Sequence, residues 1–283
     1  MFFHQKPNIV VGDIHLFVTD IERSIDFYQH IIGMHLLKKS QRCALLTADG
    51  QNVLITLEVP EHVVPKQPRR SGLYHFALLL PNRKALAQML LRLLQLGYSL
   101  EGASDHLVSE ALYLSDPDGN GMEIYADRSA DMWEWKNGQV LMETKALDME
   151  ALLEESEGIS LAELPSDTLI GHIHLHVADL EASKQFYCDG LGFRVVSHYG
   201  SQALFISTGG YHHHIGLNVW NGIGVPAPDE NSVGLKWMTL VYPDEVTRLQ
   251  VVERLQHMGA FVEKRAGEIV AQDPSGTRIK LII

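Results

Sequence analysis

An α+β fold, in which four βαβββ modules close pairwise into two half-open eight-stranded barrels, is what this sequence of 283 residues predicts. Three observations predict it. The segment GDIHLFVTDIERSIDFYQHIIGM from Gly12 lies over GHIHLHVADLEASKQFYCDGLGF from Gly171 at a constant offset. A second pair, GLYHFALLLP from Gly72 and GLKWMTLVYP from Gly234, opens two further units. Both of those units end on an Asp-Pro-x-Gly turn and a last strand, in SDPDGNGMEIYAD and QDPSGTRIKLII. Repeats of this length mark one supersecondary unit used several times, and a single curved sheet needs a partner to cover its apolar face.

Each copy begins with an alternating strand and continues into a helix. In the first and third copies an Asp stands where it can cap that helix, and a glycine ends it. Three strands follow. The resulting units are module one (1–59), module two (72–126), module three (170–220) and module four (234–283). Short proline-bearing connections join modules one to two and three to four. Residues 127–169 form a longer linker with a helix predicted in DMEALLEES and with Trp133 and Trp135 as anchors. Its length permits more than one pairing of modules, because an extended chain covers roughly 3.3 Å per residue.

Composition narrows the function. The formal charge of −12 comes without a basic block, which argues against a nucleic-acid partner. No apolar run approaches the roughly 20 residues of a membrane span. The start MFFHQKPNIV lacks the apolar core and cleavage site of a secretory signal, so a cytoplasmic protein with Cys43 and Cys188 reduced is expected. Fifteen histidines raise the expectation of a metal.

Their placement is informative. In GHIHLHV, Ile173, Leu175 and Val177 alternate with His172, His174 and His176, so three imidazoles share the face opposite the helix. In module two His75 opens a strand, and Glu123 follows the turn with Met122 and Ile124 on the other face. Two imidazoles and a carboxylate on adjacent strands make a facial triad suited to non-haem Fe(II), with Mn(II) accepting the same set. Module four carries Trp237 and Lys280 where module two has His75 and Glu123, and module one carries Asp13 where module three has His172. Ligand-capable residues thus concentrate in modules two and three. His15, His174 and His176 are read as lining or packing residues.

This pattern resembles the vicinal oxygen chelate superfamily, whose members include the glyoxalases, and within it the type I extradiol ring-cleaving dioxygenases of the catechol 2,3-dioxygenase kind. The similarity covers nearly the whole chain. The family signature is matched by HLVSEALYLSDPDGNGME, with Ser104 departing from it. The resemblance implies His75, Glu123 and His172 as metal ligands, His106 and Tyr113 as substrate-bonding residues, and an acid–base histidine beside the metal in GGYHHHIGLNVW. Spacing to Gly216 favours His213, with His212 and His214 open. It implies Fe(II), a catecholic substrate and O2 as partners, and meta cleavage to a 2-hydroxymuconic semialdehyde-type product; homo-oligomerisation is left open. Because family members keep the catalytic modules as three and four, the signature in module two leads us to expect modules two and three to pair around the metal and one and four to form a vestigial barrel. Pairing one with two, through Asp13, is the alternative. A glyoxalase-type isomerase or lyase and a non-catalytic binder of small aromatics are the rival functions.

Overall fold

The computed structural model describes residues 3–265 and 267–283. Module one supplies β1 (Val10–Phe17), β2 (His35–Lys39), β3 (Cys43–Thr47) and β4 (Val53–Glu58), and module two supplies β5 (Gly72–Leu79), β6 (Gly102–Asp105), β7 (Ser109–Ser115) and β8 (Gly121–Asp127). The linker holds three two-residue strands, β9 (Trp135–Lys136), β10 (Gln139–Val140) and β11 (Lys145–Ala146). Module three contributes β12 (Leu169–His176), β13 (Arg194–Tyr199), β14 (Ala203–Ser207) and β15 (Ile215–Asn218). Module four contributes β16 (Gly234–Val241), β17 (Phe261–Arg265), β18 (Glu268–Gln272) and β19 (Arg278–Ile282).

Two large sheets result. One has eight strands in the order β17-β18-β19-β16-β1-β4-β3-β2, so modules four and one share it. The other joins modules two and three in the order β11-β6-β7-β8-β5-β12-β15-β14-β13. It has nine strands rather than eight, because Lys145 and Ala146 of the linker pair with Asp105 and Ser104 on its edge. Each sheet is seamed by the opening strands of its two modules, β1 against β16 and β5 against β12, both antiparallel.

The helices form where a capping side chain meets an apolar stripe. Asp20 caps α1 (Ile21–Asp26), Asn82 caps α2 (Arg83–Gln95), Asp148 caps α3 (Met149–Glu154), Asp179 caps α4 (Leu180–Lys184) and Asp244 caps α5 (Glu245–His257). Each carboxylate or amide oxygen accepts a backbone N–H of the first turn, which has no partner inside the helix. In modules one and three the helix widens into a π turn, Phe27–Ile32 and Gln185–Gly190. Ile14, Leu16, Phe76, Leu78, Ile173, Leu175, Met238 and Leu240, from the four opening strands, belong to one buried core with the helices. No helix among the described residues is long and apolar enough to cross a membrane.

The π turns carry a tie between the sheets. Tyr28 of module one donates to Asp116 Oδ2 of module two at 3.1 Å, and Tyr187 of module three donates to Asp273 Oδ2 of module four at 3.0 Å. Each Asp-Pro turn is therefore held by the module before it in sequence, which belongs to the other sheet. The linker is fastened too: Arg92 of α2 donates to the carbonyls of His30, Ile31, Leu161 and Ala162. Trp133 is buried against Phe3 and Tyr211, whereas Trp135, also expected as an anchor, is 41% exposed.

Candidate metal centre

Strand register brings the three triad residues together. Ala77 of β5 lies beside His172 of β12 on one side and Glu123 of β8 on the other, while His75 sits two residues back on the same face. Ala77 is small and buried against Ala111 and Tyr125. His75 Nε2 lies 3.1 Å from Glu123 Oε2, and His172 Nε2 lies 3.2 Å from the same oxygen. Donor atoms about 3 Å apart match neighbouring positions around a six-coordinate ion. All three side chains are buried.

Two details fit a cation rather than a packed polar core. His75 Nε2 and His172 Nε2 are buried against one and the same carboxylate oxygen, so two imidazole nitrogens are aimed at a single point. Burial alone would push the Glu123 carboxyl up, but the His172 and His75 imidazoles outweigh it and hold the carboxyl well below its usual range. Among the described residues this is the cluster of three donors close enough to hold a metal ion.

A cavity of about 1780 Å³ opens in front of the triad, and His106, Tyr113 and His213 line it with His75 and Glu123. Tyr113 stands opposite Glu123 in the β7–β8 ladder. Its hydroxyl is 2.7 Å from His106 Nε2, and His106 Nδ1 is 2.8 Å from the carbonyl of Glu143. A carbonyl only accepts, so neutral His106 carries its proton on Nδ1 and accepts the Tyr113 proton at Nε2. The linker thus sets the state of a site histidine.

The histidine run does not behave as an alternating strand. Residues 211–214 precede β15, and His212, His213 and His214 are all buried. Only His213 lines the cavity, with its ring 4.1 Å from that of His172. Burial and the neighbouring His172 and His212 push its imidazole well below the ordinary histidine value, so it is neutral near pH 7. His212 and His214 turn away, His212 toward Asp127 at 2.8 Å and His214 toward His4 and Tyr211.

An aromatic wall was not foreseen. Tyr74 faces His174, His176 and Trp220 at ring distances of 5.1, 4.9 and 5.3 Å, and with Phe205 and Tyr199 it lines the cavity. Strict alternation would send Tyr74 away from His75. In the ladder, however, His75 pairs with His174 and Leu73 with Leu175, so Tyr74 is the extra residue of a β-bulge, a device that re-aims side chains beside active sites. Gly121 permits it: a Cβ there would come within 2.3 Å of the Tyr74 carbonyl oxygen. The one sequence signal available was that glycine, just past the turn.

The eight-stranded half repeats the frame without the donors. The bulge recurs at Lys236, since His15 pairs with Trp237 and Leu16 with Leu235. Lys236 Nζ and His15 Nε2 both reach Glu58 Oε2, at 2.7 and 2.8 Å, and the Lys280 ammonium lies 4.1 Å from the Trp237 ring centroid. Asp13 accepts from Thr239 Oγ1 at 2.8 Å. At the positions matching Glu123 and His75 this half thus carries a lysine charge on an indole face.

Comparison with known proteins agrees with this frame. The family model described as Glyoxalase/Bleomycin resistance protein/Dioxygenase superfamily matches residues 10–124 and 169–281. A catechol-2,3-dioxygenase of Bacillus subtilis (strain 168) is 48% identical over 277 residues, 96% of this chain and 97% of that protein. A biphenyl-2,3-diol 1,2-dioxygenase 3 of Rhodococcus globerulus is 28% identical over 106 residues, 37% of this chain and 56% of that one. The crystal structure of glyoxalase I from Zea mays superposes with a TM-score of 0.59 at 17% identity, covering 97% of this chain and 92% of that chain, a likeness of fold. With the repeated frame, the buried donors and 48% identity over nearly the whole chain to a catechol-2,3-dioxygenase in view, the chain belongs to the glyoxalase/bleomycin resistance protein/dioxygenase superfamily and, within it, to the extradiol dioxygenases.

Proposed function

We propose that this enzyme cleaves catechol or a substituted catechol beside its two hydroxyls with O2, giving a 2-hydroxymuconic semialdehyde-type product, and that His75, Glu123 and His172 hold Fe(II) for the purpose. The observation that carries the proposal is the buried convergence of those three donors, both imidazole Nε2 atoms lying about 3 Å from one Glu123 oxygen. An Fe(II) ion there supplies Lewis acidity toward the catechol hydroxyls and the redox chemistry that O2 insertion demands; Mn(II) accepts the same ligands.

The chain's own residues do the rest. Tyr74, Trp220 and Phe205 offer faces and edges to a planar ring. His213, neutral and facing the cavity, takes a hydroxyl proton and returns one later. Tyr113, its own proton held by His106, accepts a hydrogen bond from the second hydroxyl, and the pair shares charge as the ring opens. Cys43 and Cys188 are both free, which suits a reducing cytoplasm.

A glyoxalase-type reaction commonly uses a fourth protein ligand, and the cluster among the described residues offers three. A non-catalytic binder has no use for a buried carboxylate facing two imidazoles. The test is an aerobic assay of Fe(II)-loaded protein with catechol, following O2 uptake and the yellow ring-opened product. Protein that binds no iron under anaerobic conditions, or takes up no O2 with any catechol offered, defeats the proposal.

A further inference from the structure

We infer that Asp127 and His212 are positioning residues for His213, holding that imidazole with its proton on Nδ1, toward the interior, and its bare Nε2 toward the cavity. The inference rests on the reading of His213 as the base under "Proposed function" and adds what orients it.

The geometry is a chain of three groups. Asp127 Oδ1 is 2.8 Å from His212 Nε2, and His212 Nδ1 is 2.8 Å from His213 Nδ1. An ionised carboxylate can only accept, so His212 carries its proton on Nε2. With a single proton on His212, held at Nε2 by the carboxylate, Nδ1 is a lone pair, and the short contact between the two Nδ1 atoms then requires His213 to donate. His213 is left with Nε2 unprotonated. A carboxylate that fixes the tautomer of one imidazole here fixes that of the next.

Packing holds the rings of this chain in place. His212 is fully buried, its ring 4.0 Å from Tyr211, 5.1 Å from Trp133 and 6.2 Å from Tyr125. Tyr211 donates to Asp127 Oδ1 at 3.2 Å, and the Tyr125 and Tyr211 hydroxyls lie 2.7 Å apart. Asp127 closes β8, four residues after Glu123, so alternation puts Glu123, Tyr125 and Asp127 on one face. One strand thus supplies a candidate ligand at one point and the anchor of the relay at another. A base whose bare nitrogen is already aimed at the substrate spends no binding energy on choosing a tautomer, whereas the flipped form would present an N–H.

The experiment uses the full chain, metal-free, with 15N-labelled histidine. Long-range 1H–15N correlations, assigned with His213→Asn, should show His213 in the Nδ1–H form, and Asp127→Asn should shift it toward a mixture. In the Fe(II)-loaded enzyme Asp127→Asn should lower kcat about 10²-fold with KM changed by less than about threefold. An Nε2–H tautomer in the wild type overturns the inference, as does an Asp127→Asn protein of native circular dichroism whose tautomer and kcat are both unchanged. Wild-type protein with the Nδ1–H tautomer but no ring cleavage defeats the proposed function and leaves the positioning intact, because the spectrum needs neither metal nor turnover.

Discussion

Asp273 offers a stability test of the ties between sheets. It is buried in the Asp-Pro turn of module four, accepts from Tyr187 and from the backbone N–H groups of Ser275 and Thr277, and is pushed up from 3.8 to about 6, chiefly by burial. A carboxyl whose native pKa is raised binds its proton more tightly when folded. Below about pH 4 both states are protonated and the residue costs nothing extra. Between about pH 4 and pH 6 the unfolded chain ionises first, so stability falls as pH rises, and above about pH 6 the loss is complete at about 3 kcal/mol. Asp273→Asn keeps the shape and an acceptor oxygen while removing the ionisation, and its amide can donate back to Tyr187. Urea unfolding of both proteins at about pH 4.5 and about pH 7.5 should show the variant gaining about 2–3 kcal/mol relative to wild type at the higher pH, whatever its standing at the lower. Parallel stability curves for the two proteins across this window would refute the argument, since they would mean that Asp273 titrates alike in both states.

Two further outcomes follow from the site. Mn(II) at about one hundred times its dissociation constant should stabilise wild-type protein by about 2.7 kcal/mol, which for a chain of 283 residues is roughly 5 °C in thermal midpoint, and His75→Ala should cut the shift to about 1 °C or less at the same concentration. Gly216→Ala would bring a Cβ within 2.7–3.0 Å of the His174 ring, so it should destabilise the protein by about 1–3 kcal/mol in urea titrations and displace the ring that packs between His75 and Trp220.

What was readable in the sequence was whatever short-range pattern controls. The alternation in GHIHLHV and HFALLLP places His172, His75 and the residues between them on known faces, and the capping Asp20 and Asp179 place the helices that follow. The absence of donors at Trp237 and Lys280 was legible by comparison of the two copies. What escaped depends on partners distant in sequence. Tyr74 turns into the cavity because β12 skips it in register, and no local period records a bulge created by a strand about a hundred residues away. His212 and His214 look like strand residues of opposite face to His213, yet they are buried in a loop whose shape is set by Asp127, Tyr211 and Trp133. The ninth strand and the Glu143 carbonyl on His106 come from a linker whose composition gives no hint of either contact.

The nested arrangement of the sheets has a consequence for biosynthesis. Every large strand of the nine-stranded sheet lies between residues 72 and 218, an unbroken stretch that is complete before module four leaves the ribosome. Module one, made first, must wait with the seam edge of β1 uncovered until β16 arrives more than two hundred residues later. Closing a loop of that span is slow, and an uncovered edge invites association with other nascent chains. The half that carries the candidate metal ligands can therefore mature early, while the other half is the last to close and the one most exposed to misassembly.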